Sequence, residues 1–168
     1  QPNVKRVALE EPVAREIHTG VGNIRGWAVA SDGITKVEIW IDGVYAFDAP
    51  YGGARGDVGS AFPDVEDSEN SGFGAAFNYS NLSAGSHSIK AVAYTGAGET
   101  KESTKRFEVV RFPSPYIAAA DAVDLNAASC SVESDEITIV DALIEGDVYN
   151  LTLKWRTAEQ GFEIIEIR

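Results

Sequence analysis

Cysteine occurs once, at Cys130, and methionine not at all. A single thiol excludes any disulfide within the chain, and its alternating surroundings read Cys130 as a small buried hydrophobe. Histidine is nearly as scarce, at His18 and His87. Two distant histidines and one cysteine match none of the zinc spacings, so no metal centre of that kind is expected. His87 stands where a turn enters a strand, with no serine or cysteine placed by motif as its nucleophile. Gly96 and Gly98 belong to a hairpin rather than to the start of a helix, so no phosphate loop is present. Nothing else calls for a cofactor. No apolar run approaches the length of a membrane-spanning helix, which argues against membrane insertion. Positive charge is in short supply: 14 Lys and Arg against 26 Asp and Glu, a net charge of −12 and a pI near 4.5. Phosphate backbones repel such a chain, so nucleic acid is a poor partner. The chain starts at Gln1, and with no methionine it reads as a processed or truncated product. Removal of a secretory signal fits that reading, as does a cut from a longer chain. An extracellular, cell-surface or periplasmic location is expected, within a larger chain or assembly.

What is present is strand periodicity. With 168 residues, 44% of them hydrophobic, the chain suits one domain with a small appendage. From Lys36 to Asp42, Val37, Ile39 and Ile41 fall on one face, and Lys36, Glu38, Trp40 and Asp42 on the other. Asp42-Gly43 is a hairpin signal, because both residues tolerate positive φ. Val44 to Asp48 is the return strand. Residues 24–29, 73–79, 87–94 and 104–110 alternate in the same way, with turns at Ser31-Asp32-Gly33, 83–86 and 95–98. No convincing helix interrupts them. Six or seven short strands at this spacing predict an all-β chain with an antiparallel sandwich of two sheets. Residues 1–12 are expected to be extended or loose.

Phe112-Pro113-Ser114-Pro115 breaks the pattern, since proline cannot donate to a ladder. We expect the sandwich to occupy 1–112 and a small β meander 113–168, with strands over 123–132, 136–144, 148–155 and 162–167. A helical reading of 117–125 is weaker. The appendage differs in charge. Residues 1–115 carry 11 basic against 15 acidic side chains, and residues 116–168 carry 3 against 11. Some fifty residues with this excess of negative charge, and without disulfide or metal, make a marginal core alone, so the meander is expected to pack on the sandwich.

Several pieces follow one another in a familiar order: Gly26-Trp27-Ala28, the strand with its Asp42-Gly43 turn, Arg55-Gly56-Asp57-Val58, Ser71-Gly72-Phe73, and Gly85-Ser86-His87. Over about residues 13–110 this resembles an immunoglobulin-like module of secreted and cell-surface bacterial proteins. In that module the middle piece usually reads Arg-Pro-Asp-Val. Gly56 stands here in place of that proline. The resemblance implies an accessory sandwich rather than a catalyst, with Arg55 and Asp57 structuring a long crossing loop.

Three features invite a more specific reading. Arg55-Gly56-Asp57 is also the tripeptide of adhesive display, which requires an exposed tip. Asp64, Glu66, Asp67 and Glu69 crowd one loop and could offer oxygens to calcium, but the ordered ligand spacing of a helix-loop-helix calcium site is absent. Trp40, with Tyr94 and Trp27 on strands that could be neighbours, could form an aromatic platform for a sugar ring. Otherwise Trp40 is covered by a loop or by the appendage. No carboxylate pair is singled out for glycoside hydrolysis among so many acids. The expected function is a non-catalytic structural, adhesive or binding module whose partner is an extracellular protein or glycan. The first alternative is a carbohydrate-binding accessory module, and the remote one a hydrolase of glycosidic bonds.

Overall fold

The computed structural model describes residues 3–168; the start of the segment expected to be extended or loose lies outside the described residues. The remainder of that segment is a strand, β1 (Lys5–Glu11), whose residues pair antiparallel with β3 (Val21–Ala30). β2 (Ile17–His18) lies between them in sequence. The expected hairpin is β4 (Ile34–Ile41) and β5 (Val44–Ala49), turned by Asp42 at φ 52° and Gly43 at φ 79°. That is the pair of positive φ values that a two-residue hairpin turn of this hand requires. Then follow β6 (Tyr51–Gly53), helix α1 (Gly56–Ala61), a 3-10 turn over Ser68–Asn70, and β7 (Gly72–Asn78). β8 (Gly85–Thr95) and β9 (Thr100–Val109) complete the sandwich.

One sheet runs β1-β3-β7-β6 and the other β2-β9-β8-β4-β5. Leu9, Ile24 and Ala28 come from the first, and Val37, Ile39, Ile89, Ala91 and Phe107 from the second; all are buried. Their alternation along each strand is the period of two that sequence reading detects. A second cluster lies on the other side of β3, where Val29 is buried with Val58 and Val65 from the loop, and Trp27 and Phe62 pack against it. The helix α1 went unpredicted. It is short, and only one of its residues, Val58, is buried, so it carries no amphipathic stripe.

Cα packing divides the chain into two compact units. One comprises residues up to 16, 23–77 and 86–107; the other comprises 17–22, 78–85 and 108–168. In the second unit the expected strand over 123–132 is two strands, β10 (Val123–Asp124) and β11 (Ser129–Glu133). Asp124 turns the chain between them: its carboxylate accepts from the Asn126 amide at 2.8 Å, and Ala128 N donates to Leu125 O at 3.1 Å. Side-chain capture of a nearby amide diverts the backbone from a continuing ladder. β12 (Glu136–Ile144), β13 (Asp147–Arg156) and β14 (Gly161–Ile167) form the meander, with β10 and β11 both pairing β12. In place of a helix over 117–125 there is a single 3-10 turn at Ala120–Ala122. Cys130 is exposed rather than buried, because β11 has β12 on one side alone and all five of its residues face solvent. Ala142, Ile144 and Leu151 form the buried centre of this unit, with Phe112, Ile117 and Tyr149 packed against them.

Candidate functional site

Arg55 immediately precedes α1, and its side chain reaches two carboxylates. Nη1 and Nη2 donate to Glu10 Oε1 and Oε2 at 2.7 and 3.0 Å. Nε and Nη2 donate to Asp57 Oδ1 and Oδ2 at 2.9 and 2.7 Å. Each contact is a two-point fork, the geometry in which a guanidinium holds a carboxylate most firmly. The Arg55 hydrogen bonds hold the Asp57 carboxyl down at about 2, and the two carboxylates raise the Arg55 guanidinium above its ordinary range. The backbone joins in: Arg55 N donates to Glu69 O at 2.7 Å, and Gly59 N to Arg55 O at 3.0 Å. Glu10 belongs to β1, so Arg55 ties the start of the crossing loop to an edge strand. The Arg55 side chain is 21% exposed and Asp57 67% exposed. Arginine and aspartate here face each other, whereas adhesive display would present both outward.

The acidic stretch is anchored by what lies between its carboxylates. Val65 and Ser68 are buried, three residues apart, and Ser68 Oγ donates to Phe62 O at 2.8 Å. Asp67 takes φ 60° at the entry to the 3-10 turn. Asp64, Glu66, Asp67 and Glu69 are all exposed. Among the described residues no three His, Cys, Asp or Glu side chains are grouped to hold a metal ion.

The aromatic residues divide. Trp27 sits in β3, its ring 5.7 Å from Phe62 beneath the loop. It is therefore not a neighbour of Tyr94, contrary to the sequence expectation: Tyr94 is in β8 of the other sheet. Trp40 and Tyr94 do share a face, because β4 and β8 are paired. Between them lies Glu38, which is 8% exposed. Its Oε1 accepts from Trp40 Nε1 at 3.2 Å and from Tyr94 OH at 2.8 Å, and its Oε2 from Lys36 Nζ at 3.0 Å. The Lys36 hydrogen bond, with those of Tyr94 and Trp40, lowers the Glu38 carboxyl from its ordinary value. Lys36 Nζ stands 4.6 Å from the centre of the Tyr94 ring, and Lys90 Nζ 5.3 Å from that of Trp40. Tyr45 meets Trp40 edge-on at 6.0 Å. A sugar stacking on these rings would first have to displace the lysines. The Lys90 ammonium thus covers part of the outward Trp40, a role that neither of the expected covers anticipates.

A groove of about 560 Å³ opens elsewhere in the same unit, lined by Glu10, Arg25, Tyr51, Arg55 and glycines of β7. Sequence reading missed it, since its walls come from residues far apart in the chain. Tyr51 OH donates to Ala28 O at 2.7 Å, and burial, then the Asp67 charge, pushes its hydroxyl up to about 12.

The profile of the bacterial Ig domain matches residues 6–91. No curated protein matches the sequence. Solved structures with a similar backbone include the endo-β-1,4-mannanase from Thermotoga petrophila, 11% identical with a TM-score of 0.47 over 67% of this chain and 21% of that one. The fibronectin(III)-like modules of Clostridium thermocellum CbhA are 17% identical, with a TM-score of 0.40 over 63% of this chain and 98% of that one. CopC from Methylosinus trichosporium OB3b is 15% identical, with a TM-score of 0.40 over 67% and 100%. This chain thus spans about a fifth of the mannanase. Among the described residues no helix is long and apolar enough to cross a membrane.

Proposed function

Since its residues 6–91 make this chain a member of the bacterial Ig domain family, we propose that it is a non-catalytic structural or adhesive module of a protein exposed outside the cytoplasm. The observation that carries this reading is the Arg55 clamp. The one stretch that advertises a receptor motif uses its arginine to hold Glu10 and Asp57 of the same unit. Position 56 supports the same view. Gly56 is the first residue of α1, where proline is favoured because its fixed φ suits a helix start and the missing N–H has no partner to lose. The Arg-Pro-Asp-Val form of the module and the Arg-Gly-Asp-Val form here therefore serve one local structure, and the resemblance to an adhesive tripeptide follows from a glycine at a helix start. The work of such a module is to hold a stable spacing or surface for its neighbours.

The test uses the purified chain. Immobilised chain is offered to integrin-bearing cells with and without soluble Arg-Gly-Asp peptide, and the chain in solution is incubated with glycosidic substrates. The expected results are no attachment that the peptide competes away and no turnover. Attachment abolished by the peptide, or sustained turnover by the pure chain, overturns the proposal.

A further inference from the structure

We propose that the groove of about 560 Å³ beside the Arg55 clamp binds a neutral polyhydroxylated ligand, a sugar ring or short oligosaccharide. The proposal goes beyond the structural reading above, and it places the ligand on the other sheet from Trp40 and Tyr94. The argument begins with charge. Arg25 Nε pairs with Glu11 Oε1 at 2.8 Å, and Arg55 is held by Glu10 and Asp57. Two guanidiniums against three carboxylates leave no positive field, so a phosphate or carboxylate gains nothing here. Glu10, the carboxylate that lines the groove, is already neutralised by the two-point contact with Arg55, so a cation gains little there. What remains is a donor, Arg25, and an acceptor, Glu10, on the same groove. Hydroxyl groups, each both donor and acceptor, can serve both where an ion serves one.

The donors and acceptors are specific. The Arg25 side chain is 49% exposed, while Glu11, its partner, is 4% exposed. The buried carboxylate meets the guanidinium at Nε, which fixes the direction of the half-exposed Arg25 side chain at the groove. Glu10 meets Arg55 with both oxygens, and its side chain is still 36% exposed, so outward lone pairs remain. Charge-assisted bonds of this kind are the strong ones, and preformed partners lose little freedom when a ligand arrives. The floor contributes shape. Gly74 lies on it beside Arg25, and an added Cβ there would meet Arg25 Cβ at 3.4 Å, whereas the backbone of Gly72 is already covered by Gly53 and the Arg55 stem. The bare backbone lets a flat ring come close. Tyr51, 37% exposed, walls one side, and the volume falls within the range usual for small-ligand sites.

The test is nitrogen–proton correlation NMR on the full chain, titrated with maltose, cellobiose and lactose, with glucuronate and glucosamine as charged counterparts. A neutral disaccharide should shift the amides of residues 25, 51–55 and 72–74 with a dissociation constant on the order of millimolar. Gly74→Leu, which fills the space beside Arg25 without removing a charged group, should weaken binding at least about tenfold, and Arg25→Lys should weaken it less. Trp40→Ala should leave it unchanged. The inference is overturned if no disaccharide shifts those amides at tens of millimolar. It is equally overturned if glucuronate or glucosamine binds more tightly than the neutral sugars, or if Trp40→Ala abolishes binding while a folded Gly74→Leu does not. Hydrolysis of a disaccharide during the titration would instead overturn the non-catalytic reading and leave the groove assignment standing.

Discussion

Between pH 7 and pH 4 the folded chain should lose about 3 kcal/mol of stability through His18 alone. His18 lies in the second unit with its side chain 5% exposed, its ring stacked 4.6 Å from that of Tyr79 at an interplanar angle of 19°. Nδ1 is 3.8 Å from Glu163 Oε2, and Arg156, itself buried, reaches the same oxygen at 3.4 Å and donates to Ile17 O at 2.6 Å. Burial, and after it the Arg156 charge, lowers the imidazole from 6.5 to about 4, with Glu159 opposing. A lowered histidine favours the neutral ring in the fold. The unfolded chain takes up a proton as pH falls through 6.5, and the folded chain does not until about 4, so stability is full above 6.5 and declines across that window. Carboxylates titrate over part of the same range, and a variant separates them. His18→Phe keeps an aromatic ring against Tyr79 and removes the titration. Urea unfolding at pH 7 and pH 4 should show the wild type losing about 3 kcal/mol more than the variant. Equal losses would mean that His18 is protonated in the fold.

Gly26→Ala should cost more than about 3 kcal/mol, enough to unfold a chain of ordinary stability, whereas Gly56→Ala should be nearly neutral. Gly26 pairs with Leu9 across β1 and β3. A Cβ there would stand 2.0 Å from Ala8 O and 2.6 Å from Phe73 Cζ. The first of these is backbone in a hydrogen-bonded ladder and cannot rotate away, so either the pairing opens or the Phe73 ring leaves the core. Gly56 meets nothing within 4 Å, and alanine is a better helix former than glycine. Thermal melting of the two variants beside the wild type decides. A folded Gly26→Ala with a melting temperature near the wild type's would mean that β1 does not pack on β3 as described.

These two sites also mark how far the sequence could be read. Strands were legible wherever one face is buried and the other solvated, as in β4, because burial writes a period of two into the side chains. The Asp42-Gly43 turn was legible because few residues tolerate positive φ. Ile17-His18 left no such trace: it is two residues long and gains its place by pairing Glu108 and Val109 in parallel. The burial of His18 is likewise a tertiary fact, with no local signature. Cys130 was misread because alternation does not reveal whether a strand lies at an edge. Trp27 and Trp40 each look like outward aromatics on a strand, yet loop residues pack on one and Lys90 covers the other. Of the candidate site, the Arg55–Asp57 contact could be anticipated from two residues of separation. The Glu10 contact, 45 residues away, could not.

Amide hydrogen exchange over residues 55–71, compared between wild type and Arg55→Ala, tests most directly whether the Arg-Gly-Asp stretch is a structural lock. The alanine variant leaves Glu10 and Asp57 without their forks and frees the loop start from β1. Loss of hydrogen bonds to charged partners is worth about 2 kcal/mol, so exchange of the loop amides, Gly59 and Phe62 among them, should accelerate at least about tenfold. Exchange in β4 and β8 should hold steady. If the loop amides exchange at wild-type rates in the variant, Arg55 does not hold the loop, and the structural account of this chain is contradicted.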